Sequence, residues 1–232
     1  MSRFTNAIED LRLQILDLYR VNEIFFTLQG EGAHSGIPAV FVRFSGCNLR
    51  CPWCDTDFAD FTEMSAEEIV AEMQSLYDVP NERRKMCVLT GGEPSLQVDD
   101  KLIAALHEAG FYICIETNGT RPLPEGIDWI TCSPKAESLG THLGHSGLAL
   151  KRANEVKVVF TGTYDPEVWR TKIEAEHWML QPLRYNGDLL MESGIDEWSN
   201  DANDNLDETV RYILAHPFWR LSVQLHKIAG LR

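Results

Sequence analysis

The sequence predicts an α/β fold in which a mostly parallel sheet with crossover helices curls into a partial barrel. Three observations predict it. Apolar runs of strand length alternate with segments of helical periodicity along most of the chain. The helical segments open on capping residues or stop at glycine. The residues suited to chemistry fall where the strands end, as they do in open and barrel α/β folds. With 232 residues, 44% apolar and 24% charged, the chain suits one large domain with a substantial core.

The elements follow in order. Ile8, Leu11, Ile15 and Leu18 share one stripe of a helix over residues 5–19, an N-terminal helical extension (1–20) ahead of a single domain at 21–232. Glycines punctuate Gln29–Gly36, a loop, and Pro38–Ser45 is a strand leading to a cysteine cluster. Ser65 and Glu68 form a capping box for a helix that turns Ile69, Met73 and Leu76 inward. Met86–Thr90 is a strand ending in Gly91-Gly92. Asp99 or Asp100 then caps a helix with Leu102, Leu106 and Ala109 on one face and Gly110 as its stop. Strands are expected at Phe111–Glu116, Ile127–Ser133 and Glu155–Phe160, a helix over 165–175, and a strand at His177–Gln181. The stretch between Thr117 and Ile127 is too short and Pro-rich for a helix. Residues 186–204 read as an acidic exposed loop. Asn205 and Glu208 open a helix burying Leu206, Val210 and Ile213, and an alternating strand, Arg220–Leu225, closes the pattern.

Thirty-five acidic against 21 basic side chains give a formal net charge of −14. Such a surface repels polyphosphate backbones, and no Lys/Arg stripe offsets it, so nucleic acid is not an expected partner. Arg43, Lys135 and Lys227 are each suited to hold one anionic group. No apolar run reaches bilayer length, and Glu9, Asp10, Arg12 and Asp17 interrupt the first twenty residues. Neither a membrane span nor a secretory signal is expected, and the expected location is cytoplasmic.

The six cysteines divide into two sets. Cys87, Cys114 and Cys132 sit singly in apolar strand-like runs, as buried thiols do. Cys47, Cys51 and Cys54 lie in one turn-like segment. Three soft ligands on a short loop suit an iron–sulfur cluster or zinc. A structural zinc takes four protein ligands, and no clear fourth stands nearby; His34, His142 and His145 read better as solvated loop histidines. A cubane on three cysteines instead leaves one iron open to a further ligand.

The C-x3-C-x2-C spacing, with Trp53 before the last cysteine, resembles the motif of the radical S-adenosylmethionine (SAM) superfamily. That resemblance implies a [4Fe–4S] cluster whose open iron binds SAM, an external electron donor, and a 5′-deoxyadenosyl radical that abstracts hydrogen. It also implies a partial (β/α) barrel of the radical SAM type with fewer helices than strands. Leu28-Gln-Gly-Glu-Gly32, Arg43, Cys51-Pro-Trp-Cys-Asp-Thr56, Thr90-Gly-Gly-Glu-Pro94, Glu116-Thr-Asn-Gly119 and Ser133-Pro-Lys135 occur in this order. From about residue 21 onward the chain is thereby similar to the 7-carboxy-7-deazaguanine synthase family of queuosine and deazapurine biosynthesis.

This second resemblance implies that 6-carboxy-5,6,7,8-tetrahydropterin is rearranged to 7-carboxy-7-deazaguanine with loss of ammonia, with Mg²⁺, in a homodimer. Hydrogen would be taken from C6 of the pterin, ring contraction would follow, and SAM would be regenerated. Cys47, Cys51 and Cys54 would hold the cluster, and Thr56 a Mg²⁺ ion; from chemistry alone its neighbours Asp55 and Asp57 are the better oxygen donors. Trp53, Cys54, Asp55, Gly92, Glu93, Ser133, Pro134, Lys135 and Gln181 would contact SAM. Leu28, Gln29, Gly30, Arg43, Thr90 and Lys227 would face the pterin, with Glu31 as an alternative partner for its donor–acceptor edge and His226 beside Lys227. Two other readings use the same cysteines: a glycyl-radical activating enzyme, for which Leu28–Gly32 has no evident task, and a zinc-stabilised binding module.

Overall fold

A computed structural model describes residues 17–51, 53, 54, 56, 60–77, 85–135, 147–183 and 205–231. One nine-stranded sheet organises them, with strand order β3-β1-β2-β4-β5-β6-β7-β8-β9. The strands are β1 Leu18–Leu28, β2 Pro38–Phe44, β3 Thr62–Ser65, β4 Lys85–Gly91, β5 Phe111–Thr117, β6 Trp129–Cys132, β7 Arg152–Phe160, β8 Glu174–Pro182 and β9 Arg220–Leu221. β1 pairs antiparallel with both β2 and β3. Every pairing from β2 across to β9 is parallel. The helices are α1 Ala66–Leu76, α2 Asp100–Glu108, α3 Leu206–Ala215 and the short α4 Leu225–Ala229. Few helices against many strands give the expected partial barrel.

The strand pleat sorts side chains onto two faces. Outward, Val40, Val42, Phe44, Cys87, Leu89, Ile113 and Ile115 pack against Ile69 and Met73 of α1 and Leu102 and Leu106 of α2. Further along, Cys132, Val156, Val158, Phe160, Trp178 and Leu180 pack with Trp169 and Trp219. The intervening residues turn to the concave face, where Phe25, Phe41, Met86, Val88 and Cys114 form a smaller apolar cluster. Beside it the His34 ring lies tilted against Trp129, at 4.3 Å between ring centroids, and Trp129 stacks on His177. The three isolated cysteines are core thiols, as expected.

The barrel curves far enough for the β1–β2 loop to meet the far strands without closing. Gly32 N donates to Ser222 Oγ (3.0 Å), Ala33 N to Glu155 Oε2 (2.6 Å), and Leu225 N to Gly30 O (2.9 Å). Capping works as the sequence implies. Ser65 and Glu68 form the reciprocal box at α1, and Asp99 accepts from Leu102 N (3.0 Å) at α2 while also accepting the Tyr19 hydroxyl (2.6 Å).

Several expectations are corrected. The helix predicted through residue 19 gives way by Leu18, where β1 begins; residues 1–16 lie outside the described residues. Tyr19 and Val21 are buried in alternation against the outer core, a period of two that fixes a strand there. β3 also escaped notice, its four residues being too few to show a pattern. Leu76 is 37% exposed at the end of α1 rather than inward. In place of a helix over 165–175 there is one short 3-10 segment, Pro166–Thr171, because β8 already starts at Glu174. Of α3, only Thr209 is fully buried, with Tyr212 and Ile213 packed against the core. Asn205 does not cap α3 by its side chain; it accepts from Leu183 N (2.8 Å) and donates to Phe160 O, tying the ends of β7 and β8. The closing strand shrinks to Arg220–Leu221, and residues 225–229 turn into α4, so His226 and Lys227 sit on a helix. Residues 186–204 fall outside the described residues.

Asp99 joins β1 to α2 through two hydrogen bonds, one of them from a hydroxyl with little access to water. Asp99→Ala is expected to lower stability by about 2 kcal/mol, combining a lost N-cap with an orphaned Tyr19 hydroxyl. Chemical denaturation followed by far-UV circular dichroism checks this.

Candidate active site

The C-terminal ends of the parallel strands open into a cavity of about 1140 Å³ among the described residues. From β2 comes Arg43, whose Nε is 2.8 Å from Glu23 Oε1 and whose guanidinium lies over the Phe25 ring. From β4 come Thr90 and the Gly91-Gly92 turn, and from β5 Glu116 and Asn118. Ser133 and Lys135 follow β6, Lys157 and Val159 belong to β7, and Gln181 to β8. Leu28, Gln29, Gly30 and Glu31 enter from the β1–β2 loop, and Gln224, His226 and Lys227 from α4 and its approach. The site is thus assembled from nearly every element of the sheet.

Cys47, Cys51 and Cys54 line the same cavity, with Trp53 and Thr56 beside them. Their loop is fastened at its start. Gly46 O accepts from Glu93 N (2.9 Å), and Phe44 O from Gly92 N (3.0 Å). Asn48 donates to Thr120 Oγ1 (2.8 Å) and accepts from Asn118 Nδ2 (2.9 Å). A Cβ on residue 92 would stand 2.1 Å from Gly46 O, so the backbone of the cysteine loop itself demands glycine there. A Cβ on Gly30 would likewise meet His226 Nδ1 at 2.3 Å.

Glu93 serves this fastening. It is 1% exposed and does not line the cavity; its carboxylate accepts from Ser95 N (3.0 Å), Thr117 Oγ1 (2.7 Å) and Asn118 N (2.7 Å). Pro134 is also buried away from the cavity wall, and Asp55 lies outside the described residues. The other expected site residues meet at one opening. Lys135 donates to Ser133 Oγ (2.7 Å) and holds its ammonium 5.1 Å from the centre of the Trp53 ring. Gln29 is held at both ends, giving Nε2–H to Glu116 Oε1 (2.9 Å) and taking Glu31 N on Oε1 (3.1 Å). One N–H and one lone pair of that amide remain for another partner.

The floor of the cavity is a charged layer. Lys157, its side chain 4% exposed, is hydrogen-bonded to Glu31 Oε2 and lies 3.3 Å from Glu116 Oε2. Burial works against the charge on Glu31, but the Lys157 ammonium, Gln224 and His226 outweigh it and hold the carboxyl well below its ordinary range. Burial likewise opposes the charged amine, yet Glu116, Glu31 and Glu155 raise Lys157 above its usual value. For Glu155 burial wins and pushes its carboxyl up. Sequence reasoning did not give Lys157 or Glu155 a place in the site. The signal was there: Val156, Val158 and Phe160 alternate outward, which obliges Glu155 and Lys157 to face inward.

Among the described residues no three His, Cys, Asp or Glu side chains converge as they would around a single metal ion. The cysteines instead share one cavity on a loop with two of the three half-buried. Burial pushes the Cys47 thiol up, so a thiolate there is favoured by a bound cation. Three cysteine thiolates lining one cavity are the soft donor set that an iron–sulfur cluster takes.

The Radical SAM superfamily profile matches residues 41–136, and that superfamily implies a [4Fe–4S] cluster and SAM. A protein of Bacteroides thetaiotaomicron named 7-carboxy-7-deazaguanine synthase is 48% identical over 213 residues, covering 92% of this chain and 98% of that one. The Bradyrhizobium diazoefficiens protein of the same name is 41% identical, covering 92% and 99%. The crystal structure of QueE from Escherichia coli superposes with a TM-score of 0.68 at 30% identity, covering 94% of this chain and 99% of that one. No described helix is long and apolar enough to cross a membrane. At these identities and over nearly the full length of these relatives, the chain belongs to the 7-carboxy-7-deazaguanine synthase family of radical SAM enzymes.

Proposed function

We propose that this enzyme converts 6-carboxy-5,6,7,8-tetrahydropterin to 7-carboxy-7-deazaguanine with loss of ammonia. The observation that carries the reading is a single cavity that joins the three cysteines to Gln29, Arg43, Thr90 and the Glu31/Glu116 pair. It offers a cation for a carboxylate and amide or carboxylate acceptors for a ring edge, both within one opening to the cysteine loop. When bound, cluster and SAM supply a carbon-centred radical able to take hydrogen from C6 of the pterin and return it to the product.

The residues of the chain bind and orient. Arg43 reaches the substrate carboxylate from the end of β2, where Glu23 and Phe25 fix the direction of its guanidinium. Gln29 and the backbone of Leu28 and Gly30 take the pterin edge, steadied by Glu116 and by Leu225 N on Gly30 O. Thr90 lies one step before the Gly-Gly turn and touches the substrate, and Lys227 approaches from α4. Trp53, Cys54, Gly92, Ser133, Lys135 and Gln181 form the SAM wall, with Pro134 buried behind it, and Asp55 belongs to the same proposed set of SAM contacts. Glu93 acts on SAM through the turn it stabilises. Thr56 would hold Mg²⁺ through its hard hydroxyl oxygen, and the ion would supply positive charge beside the anionic substrate. An external electron donor, a homodimer and a cytoplasmic setting complete the proposal.

Anaerobic incubation with SAM, a reductant, Mg²⁺ and the carboxytetrahydropterin should yield the deazapurine; SAM cleavage without that product would reject the substrate assignment. Arg43→Gln is expected to raise KM about 10- to 100-fold with a smaller effect on kcat, the cost of one charge-assisted pair. Thr56→Ala should flatten the response of turnover to added Mg²⁺; an unchanged magnesium titration speaks against its role. Gly92→Ala should drive the cysteine loop from its seat. Iron and sulfide per chain would then fall below the parent protein's while the far-UV spectrum is kept.

A further inference from the structure

Lys157 is the most enclosed charge in the cavity, and it stands between two carboxylates that are themselves more open. The side chains of Glu31 and Glu116 are 13% and 22% exposed, against 4% for Lys157. Each carboxylate points one oxygen at the ammonium. Their other oxygens accept from neutral amides: Glu116 Oε1 from Gln29, Glu31 Oε1 from Gln224 (2.8 Å) and Gln181 (3.3 Å). Glu31 Oε1 is thereby supplied with two donors, whereas Glu31 Oε2 and each oxygen of Glu116 take one of these and have room for a second. Two anions on one cation leave a surplus negative charge at a poorly hydrated floor, an arrangement that is costly until another donor arrives.

The remaining charges around this group are few. Glu155 lies one pleat step below Lys157, with its carboxylate turned to Ala33 N and His177 nearby. Lys135 faces Glu31 and Lys157 across the cavity, and His226 approaches Glu31 from α4. Lys157 is within hydrogen-bonding reach of both Glu31 and Glu116.

We propose that Lys157 is a positioning residue that holds Glu31 and Glu116 side by side and aimed into the cavity, where they receive the N–H donor edge of the substrate's 2-amino-4-oxopyrimidine ring. Lys157 itself touches no substrate atom. The amino and ring N–H groups of that edge are neutral donors, which a carboxylate holds more strongly than an amide does. The pair therefore selects a ring carrying two adjacent donors and disfavours one that presents an acceptor there. This rests on the pterin reading above.

Removing the ammonium would leave two carboxylates close together in a half-buried site, and such a pair shares a proton. The sign follows. With Lys157 present, Glu31 titrates below its ordinary range, so its contribution to substrate affinity is flat from pH 5 upward. Without it Glu31 loses the largest influence that lowers it, burial raises its carboxyl, and affinity falls as pH drops through the raised value. The test compares the reconstituted wild-type enzyme with Lys157→Met, Lys157→Arg and Glu116→Gln, measuring KM and kcat for the carboxytetrahydropterin across pH 5–8.

Lys157→Met is expected to raise KM at least about tenfold at pH 7, and further toward pH 5, with a much smaller change in kcat. Lys157→Arg should restore the flat profile and most of the affinity. Should Lys157→Met fail to fold, Glu116→Gln decides: it keeps the Lys157–Glu31 pair and should raise KM several-fold without an acid limb. A wild-type pH profile for Lys157→Met, a profile for Lys157→Arg as steep as the Met variant's, or an unchanged KM for Glu116→Gln overturns the proposal. A wild-type enzyme that makes no deazapurine removes the pterin reading and this proposal together, whereas an active wild type with unaffected variants removes this proposal alone.

Discussion

One strand sets the terms for the whole molecule. β7 is apolar on its outer face and carries Glu155 and Lys157 on its inner one, both almost without solvent. A buried ammonium is tolerable only when anions come to it. Its partners arrive from Glu31 on the β1–β2 loop and Glu116 at the end of β5, and Glu155 in turn collects the Ala33 N–H. Satisfying these groups brings the β1–β2 loop across the concave face of the sheet. The curl of the barrel and the floor of the cavity are thus one electrostatic fact.

A second constraint places the cysteine loop. Parallel strands end together at one edge, and the turns that follow β4 and β5 lie beside the turn that follows β2. Glu93 and Asn118 lock these turns together, and Gly92 lets the backbones touch. The cysteines therefore emerge at a location fixed by backbone hydrogen bonds before any cofactor arrives. Preorganisation of that kind spares binding the cost of ordering a loop.

Much of this was legible in the sequence, for reasons that can be named. Outer-face alternation marked β4, β5 and β7, and the Ser65 and Asp99 caps marked α1 and α2, because both signals are local. Cys47, Cys51 and Cys54 announced themselves by spacing. What escaped depended on tertiary partners. Leu18 looked helical because its neighbours repeat every three to four residues, but pairing with Ser65 and the burial of Tyr19 decide for a strand. Residues 225–229 looked like the tail of a strand, yet β8 supplies only a short edge for pairing and the chain folds back onto Gly30. Glu93 read as a ligand of SAM from its motif, while its three donors show a residue that builds the turn. Lys157 was overlooked because a charge inside an apolar run says nothing by itself of the two carboxylates that await it.

The contacts between the β1–β2 loop and the α4 region span extreme separations in the chain, 190 positions from Gly32 to Ser222 and 193 from Glu31 to Gln224. Contacts of such range form late, because their loop-closure entropy is met only after the intervening strands have assembled. On a ribosome, which extends the chain at about 5–20 residues per second, the cysteine loop is exposed for roughly ten seconds or more before Gln224 even exists. The thiols of Cys47, Cys51 and Cys54 thus pass through a nascent stage in which water and oxidants reach them freely. The contacts that bring α4 to the β1–β2 loop wait on residues synthesised long after the cysteines, so that side of the cavity is completed well after its thiols emerge.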